Sequence, residues 1–205
     1  MLSRLARFSL LLALVMCLIP QPAAAQSGVS EPRVEYIFGE QVVFSARADT
    51  QVPIQEAVIL FDAEGVAHIK PAAVEVAQDG QLHYVYAISG ERTLRPFSKV
   101  SYRYRITLTN GEVFTTPFYS FNYVDNRFAW QTLEEQPFSV HWYEGDIAFG
   151  QNILDVAQAG LDKGISLLPG GTLEQGLDIY VYRNAQDMQA ALVSPTESWI
   201  AGHAD

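Results

Sequence analysis

From Val34 to Val124 apolar and polar positions alternate with a period of two. Val42, Phe44, Ala46 and Ala48 form one apolar set; Ala57, Ile59 and Phe61 form the next. Leu82, Tyr84, Tyr86 and Ile88 follow, and Val100, Tyr102, Tyr104, Ile106 and Leu108 make the longest run. Alternation places every second side chain on one face of a strand, so each run predicts a half-buried β-strand. Asn110-Gly111 next predicts a tight hairpin turn, with Val113 to Thr115 returning and Tyr119, Phe121 and Tyr123 closing the series. Turn residues at Asp49-Thr50 to Pro53, Glu64-Gly65, Asp79-Gly80 and Ser89-Gly90 separate the runs. Some seven short strands predict an all-β sandwich of immunoglobulin or fibronectin type over residues 29–125. Tyr102 and Tyr104 are candidates for a hydroxyl that caps a strand corner, with an ordinary core tyrosine as the alternative.

After Asp125 the period changes. Residues 126–137 read as a polar linker, and Phe138 to Tyr143 as a strand. Asp146 is placed to cap a helix whose apolar positions are Phe149, Ile153, Val156, Ala157, Leu161, Ile165 and Leu168. Pro169-Gly170-Gly171 stops it, and Leu177 to Arg183 predicts a second strand. Asn184 caps a second helix with Asp187 three residues on, and Trp199 to His203 opens a third strand. This is an α/β (α+β) layout over 138–205. Three partial strands and two helices bury little by themselves, so the segment is expected to be the incomplete, N-terminal part of a larger domain.

The first residues add a destination. Arg4 and Arg7 precede an apolar run from Phe8 to Ile19, followed by Pro20, Pro22 and Ala23-Ala24-Ala25. This is the layout of a cleavable secretory signal over residues 1–25, cut after Ala25, and the run is short for a bilayer span. The expected product is secreted, with no membrane span in its mature part. Cys17, the only cysteine, lies inside that signal after Met16, which is too large for a lipoprotein site. The mature chain therefore forms no disulfide. Losing Arg4 and Arg7 leaves 11 of 13 basic residues against 23 acidic ones, moving the formal charge from −10 to −12. Such acidity argues against nucleic acid as a partner.

Catalytic patterns are sparse. The histidines are His68, His83, His141 and His203, and none begins the H-E-x-x-H run that puts two zinc ligands on one helix face. His141 with Glu144 and Asp146 is a loose acidic cluster, and His203-Ala204-Asp205 a terminal pair. Ser166 lacks the strand-to-helix elbow of a nucleophile, and Gly170-Gly171 lacks a phosphate-loop pattern. No catalytic or metal-ligating residue is assigned to this chain, and no cofactor is expected in it.

One set of residues carries a family resemblance. Phe128-x-Trp130-x-x-Leu133, Val140-His141-Trp142-Tyr143-Glu144-Gly145-Asp146-x-x-Phe149-Gly150, Asp178-Ile179-Tyr180-Val181-Tyr182 and Trp199-Ile200-Ala201-Gly202-His203-Ala204 resemble the start of secreted bacterial metallohydrolases of the peptidase MA-like (gluzincin) type. The resemblance covers Phe128 to Asp205 and implies a β-sandwich ahead of an α/β subdomain. It implies an H-E-x-x-H helix and a further glutamate beyond Asp205, with zinc in a full-length parent and protein or peptide as substrate. The strand before that helix would pair with substrate, which makes Gly202 and His203 candidate substrate-binding residues. The chain is thus expected to be the N-terminal portion of a secreted zinc-dependent metallopeptidase, catalytically incomplete as it stands. The alternative is an exported β-sandwich binding or adhesion module with a small accessory α/β domain.

Overall fold

The computed structural model describes residues 28–63, 71–89, 93–167 and 176–192. The signal segment 1–25, His68 and the expected strand from Trp199, with Gly202 and His203, lie outside the described residues.

The first part is a β-sandwich. One sheet has the order β1-β2-β6-β5, from Gly28–Ile37, Gln41–Asp49, Gln81–Ala87 and Glu75–Val76. The other has the order β4-β3-β7-β8, from Ala72–Ala73, Ile54–Ala63, Ser98–Leu108 and Val113–Thr115, and β9 (Tyr119–Tyr123) continues along the same edge of β7. All the pairings are antiparallel. The alternating sets turn inward as expected: Val42, Phe44, Ile59, Leu82, Val100, Tyr104, Ile106 and Leu108 are almost wholly removed from water. Phe44 joins the two layers, its ring centroid 5.6 Å from Phe61 and 5.0 Å from Tyr102. The Asn110-Gly111 turn forms with Gly111 at φ +85°, and the Leu108 N–H donates to the Glu112 carbonyl at 2.8 Å.

Tyr102 and Tyr104 are core tyrosines, not corner caps. Both point into the sandwich, and the buried Tyr104 hydroxyl has no hydrogen-bond partner among the described residues. Locking falls instead to Tyr123, whose hydroxyl accepts from Gly39 N–H at 2.7 Å, and to Tyr36, whose hydroxyl accepts from Val124 N–H at 3.1 Å.

The second part is a three-stranded sheet of order β10-β11-β12 (Gln131–Glu135, Phe138–Trp142, Leu177–Val181) with two helices, α1 (Ile147–Leu167) and α2 (Ala185–Ala191). The expected linker therefore contains a strand: Gln131–Glu135 pairs antiparallel with β11, with Leu133 packed beneath the helix. Strands β11 and β12 run parallel, joined by the α1 crossover. Asp146 accepts from Phe149 N–H at 3.1 Å, and Asn184 accepts from Asp187 N–H at 2.9 Å, so both expected caps form.

The buried face of α1 differs from the expected stripe. Gly150 and Leu154 are buried, with Ile153, Ala157 and Leu161 beside them, whereas Phe149, Val156 and Ile165 stay exposed. Gly150 explains the rotation. A Cβ there would run into the Trp142 ring, so glycine lets the helix settle on the indole.

Candidate functional site

The outer face of the five-stranded sheet gathers unpaired cations. Strand β7 is central, with β3 on one side and β8 and β9 on the other. Its inward residues fill the core, so Lys99, Ser101, Arg103, Arg105 and Thr107 face outward. At about 3.4 Å per residue, Lys99 to Arg105 spans about 20 Å. Among the described residues none of these three cations makes an ion pair. The neighbouring acids of β3, Glu56 and Asp62, stand opposite Thr107 and Ser101, not opposite the cations.

Register supplies the rest of this face. Lys99 lies beside Asn122, Ser101 beside Ser120, and Arg105 beside Thr115. Between them the Arg103 guanidinium lies 4.5 Å from the ring centroid of Phe118, which is 58% exposed. Arg103 Nε is buried and has no hydrogen-bond partner among the described residues. Phe118 sits in the break between β8 and β9. There Thr116 Oγ1 accepts from the buried Tyr104 N–H at 3.0 Å, and Thr116 N–H donates to the Tyr104 carbonyl at 2.9 Å. The side-chain oxygen supplies the acceptor that a ladder carbonyl would otherwise give, at the break between β8 and β9. The result is a hydroxyl-rich face with an exposed ring and a row of cations.

A second constellation forms the seam between the two parts. Asp125, fully buried, accepts from Arg127 Nε at 2.8 Å and from an Arg127 terminal nitrogen at 2.6 Å. Its second oxygen also accepts from Tyr182 hydroxyl at 2.9 Å, and its carbonyl accepts from Trp130 Nε1 at 2.8 Å. Burial first, then the Asp125 charge, pushes the Tyr182 phenol well above its ordinary range, so it stays a donor. The hydrogen bond to Asp125 raises the Arg127 guanidinium further. Arg127 reaches across to the Asp187 carbonyl at 3.2 Å, and Tyr143 hydroxyl donates to the Asp187 carboxylate at 2.8 Å. With both Asp125 carboxylate oxygens and its carbonyl engaged by neighbouring side chains, this is a structural clamp.

His141 belongs to the same seam. Its Nδ1 lies 2.9 Å from Thr132 Oγ1 and its Nε2 lies 3.1 Å from Asp178 Oδ1. The order hydroxyl, imidazole, carboxylate is that of a nucleophile with its base, but the ring is stacked at 4.3 Å on Tyr180, which stacks in turn on Phe97 at 3.5 Å. Phe97 adopts φ +59°, a left-handed conformation that costs a non-glycine residue about 1 kcal/mol or more and is held by packing. Both imidazole nitrogens and both ring neighbours are engaged, so the trio ties three strands together.

The sequence candidates disperse. Glu144 pairs with Arg183 at 3.0 Å, Asp146 caps α1, and neither joins His141. His83 sits on β6 beside Glu75, and Ser166 donates to the Lys163 carbonyl at 2.6 Å within α1. Among the described residues no group of three or more His, Cys, Asp or Glu fits a metal ion. The cationic face and the Asp125 clamp escaped sequence reasoning; an arginine on alternate positions of the longest strand was the only available sign of the first.

No family model and no curated protein matches the chain. Solved structures do overlap with part of it. A bromine derivative of BhCBM56 shares 11% identity at a TM-score of 0.34, covering 44% of this chain and 88% of its own. A carbohydrate-binding module of family 56, described as a β-1,3-glucan binding domain, shares 7% at 0.32, covering 46% and 98%. A cycloalternan-degrading enzyme from Trueperella pyogenes in complex with isomaltose shares 14% at 0.31, covering 54% and 13%.

Proposed function

We propose that the chain is an exported binding module whose β-sandwich presents its ligand site on the outer face of the five-stranded sheet. The observation that carries this is the unpaired Lys99, Arg103 and Arg105 row with Phe118 exposed beside it, on a chain of net charge −10. An arginine held over an exposed ring on a rigid sheet is preorganised, so little freedom remains to be lost on binding. The finer fold assignment follows the same proposal: the orders β1-β2-β6-β5 and β3-β7-β8 correspond to the two sheets of an immunoglobulin or fibronectin-like sandwich. The test is to titrate the isotope-labelled chain with a polyuronate, a neutral β-glucan and poly-L-glutamate while following backbone amides. Binding of any of the three with shifts centred on Arg103 and Phe118 is the expected result. Shifts confined to other surfaces, or none with any probe, overturn it.

A second reading rests on α1. Phe149, Val156 and Leu167 recur at steps of seven and eleven on one side of the helix, with Val156 74% and Leu167 71% exposed. Apolar residues so placed are those of a helix covered by further protein. This supports the second part as the opening portion of a peptidase MA-like domain in a zinc-dependent metallopeptidase acting on protein or peptide. Among the described residues no group of three or more His, Cys, Asp or Glu fits a metal ion; on this reading the zinc ligands belong to the H-E-x-x-H helix and the further glutamate, and Gly202 and His203 would lie on the substrate-pairing strand. An H-E-x-x-H codon run downstream of Asp205 in the reading frame is expected on this reading; a stop codon there overturns it.

A further inference from the structure

We propose that the ligand of the Arg103–Phe118 face is a linear acidic polysaccharide, and this rests on the binding-module reading above. Three properties of the face select that class. The cations stand four and then two residues apart along one strand, which suits charges repeated along an extended polymer. Between and beside them lie Ser101, Ser120, Thr107 and Thr115, hydroxyls matched to a partner that is itself rich in hydroxyls. Phe118 offers an exposed ring on which the apolar face of a sugar can rest, next to a guanidinium that can take the sugar's carboxylate on both oxygens.

The same features disfavour an acidic polypeptide. An extended peptide gains most by adding to a sheet edge, where backbone donors and acceptors are open. Strand β7 is flanked on both sides, and its backbone is committed to β3, β8 and β9. A peptide lying across this face would have only side-chain contacts. An anionic membrane surface or a nucleic-acid duplex is broad enough to bring its charge against the rest of an acidic chain, whereas a narrow polymer can be confined to the cationic row.

Affinity electrophoresis of the purified chain separates the outcomes, using gels containing polygalacturonate, a neutral β-glucan or poly-L-glutamate. Retardation by polygalacturonate is expected, weakening as salt is raised. Arg103→Ala should weaken it at least about tenfold, because the fork and its charge are both lost. Arg103→Lys keeps the charge without the fork and should recover only part of the affinity. Phe118→Ala should weaken binding several-fold without changing the salt dependence, which a purely ionic contact would not show. Equal retardation by poly-L-glutamate, or polygalacturonate retardation unchanged in Arg103→Ala, overturns the polysaccharide assignment. Retardation by the neutral glucan alone, lost in Phe118→Ala, overturns the acidic ligand while leaving the binding-module reading in place. No retardation in any gel, with no amide shifts in solution, removes both.

Discussion

Tyr182 donates its hydroxyl to the buried Asp125 carboxylate at 2.9 Å, joining the end of the sandwich to the exit of β12 across 57 positions of sequence. Arg127 holds the same carboxylate on both oxygens, and Trp130 holds its carbonyl. Phe97, supplied by the sandwich, lies face to face on Tyr180 of β12. The two parts are therefore wired through one charge and one ring stack, and they should unfold together.

Breaking that charge tests the coupling. Asp125→Ala leaves Arg127 and Tyr182 without their acceptor and should cost about 3–5 kcal/mol. Tyr182→Phe removes one donor only and should cost about 1–2 kcal/mol. Denaturant melting followed separately by tryptophan fluorescence and far-UV dichroism should give coincident curves for the unmodified chain and separate ones for Asp125→Ala. Separate curves in the unmodified chain would show that the seam does not couple the parts.

Gly150→Ala should destabilise the chain by about 1–3 kcal/mol, although alanine is the better helix former. The added Cβ would run into the Trp142 ring, and that indole is buried in the second core. Gly160→Ala serves as the control, since nothing lies within 4 Å of a Cβ there, and it should stabilise by up to about 1 kcal/mol. The opposite order of the two melting temperatures would refute the packing account.

Thr116→Val keeps the shape of the side chain and removes the oxygen that accepts from Tyr104 N–H. That amide is buried in the middle of β7, so the substitution should cost about 1–3 kcal/mol. It should also loosen the loop carrying Phe118, visible as faster amide exchange at Tyr104 and Phe118. Unchanged stability and exchange would mean that the backbone finds another acceptor.

What the sequence made legible is what local periodicity encodes. The inward sets of β2, β3, β6 and β7 could be marked residue by residue, because a half-buried strand has to alternate. Both helix caps were legible for the same reason, each needing only residues within one turn. The buried face of α1 was not, since the apolar stripe is wider than the contact and Gly150, with no hydrophobicity to signal, decides which part of it is used. Asp125 gave no sign among the polar residues around it; its partner Tyr182 comes near only through the parallel β11–β12 pairing. Likewise the cations of β7 alternate visibly, but strand register alone sets Phe118 beside Arg103.

Alkaline titration probes burial of the phenols. Burial, reinforced by the nearby Asp178 charge, pushes Tyr180 up to about 12, and burial with Tyr119 nearby does the same to Tyr102. An unfolded tyrosine ionises near 10, so in the folded state these groups hold their protons to higher pH. Below about pH 10 both states are protonated and the stabilising contribution is complete; between about 10 and 12 only the unfolded chain releases protons, and stability falls as pH rises. The urea midpoint should therefore be level from pH 8 to 9.5 and drop steadily above it. Absorbance at 295 nm should show Tyr102 and Tyr180 keeping their protons above pH 10 in the folded chain and releasing them on unfolding. Asp178→Asn should bring the Tyr180 step down, because the charge that opposes its phenolate is gone. A midpoint that stays level through pH 11, with all tyrosines ionising near 10 in the folded chain, would mean that these rings are not buried as described.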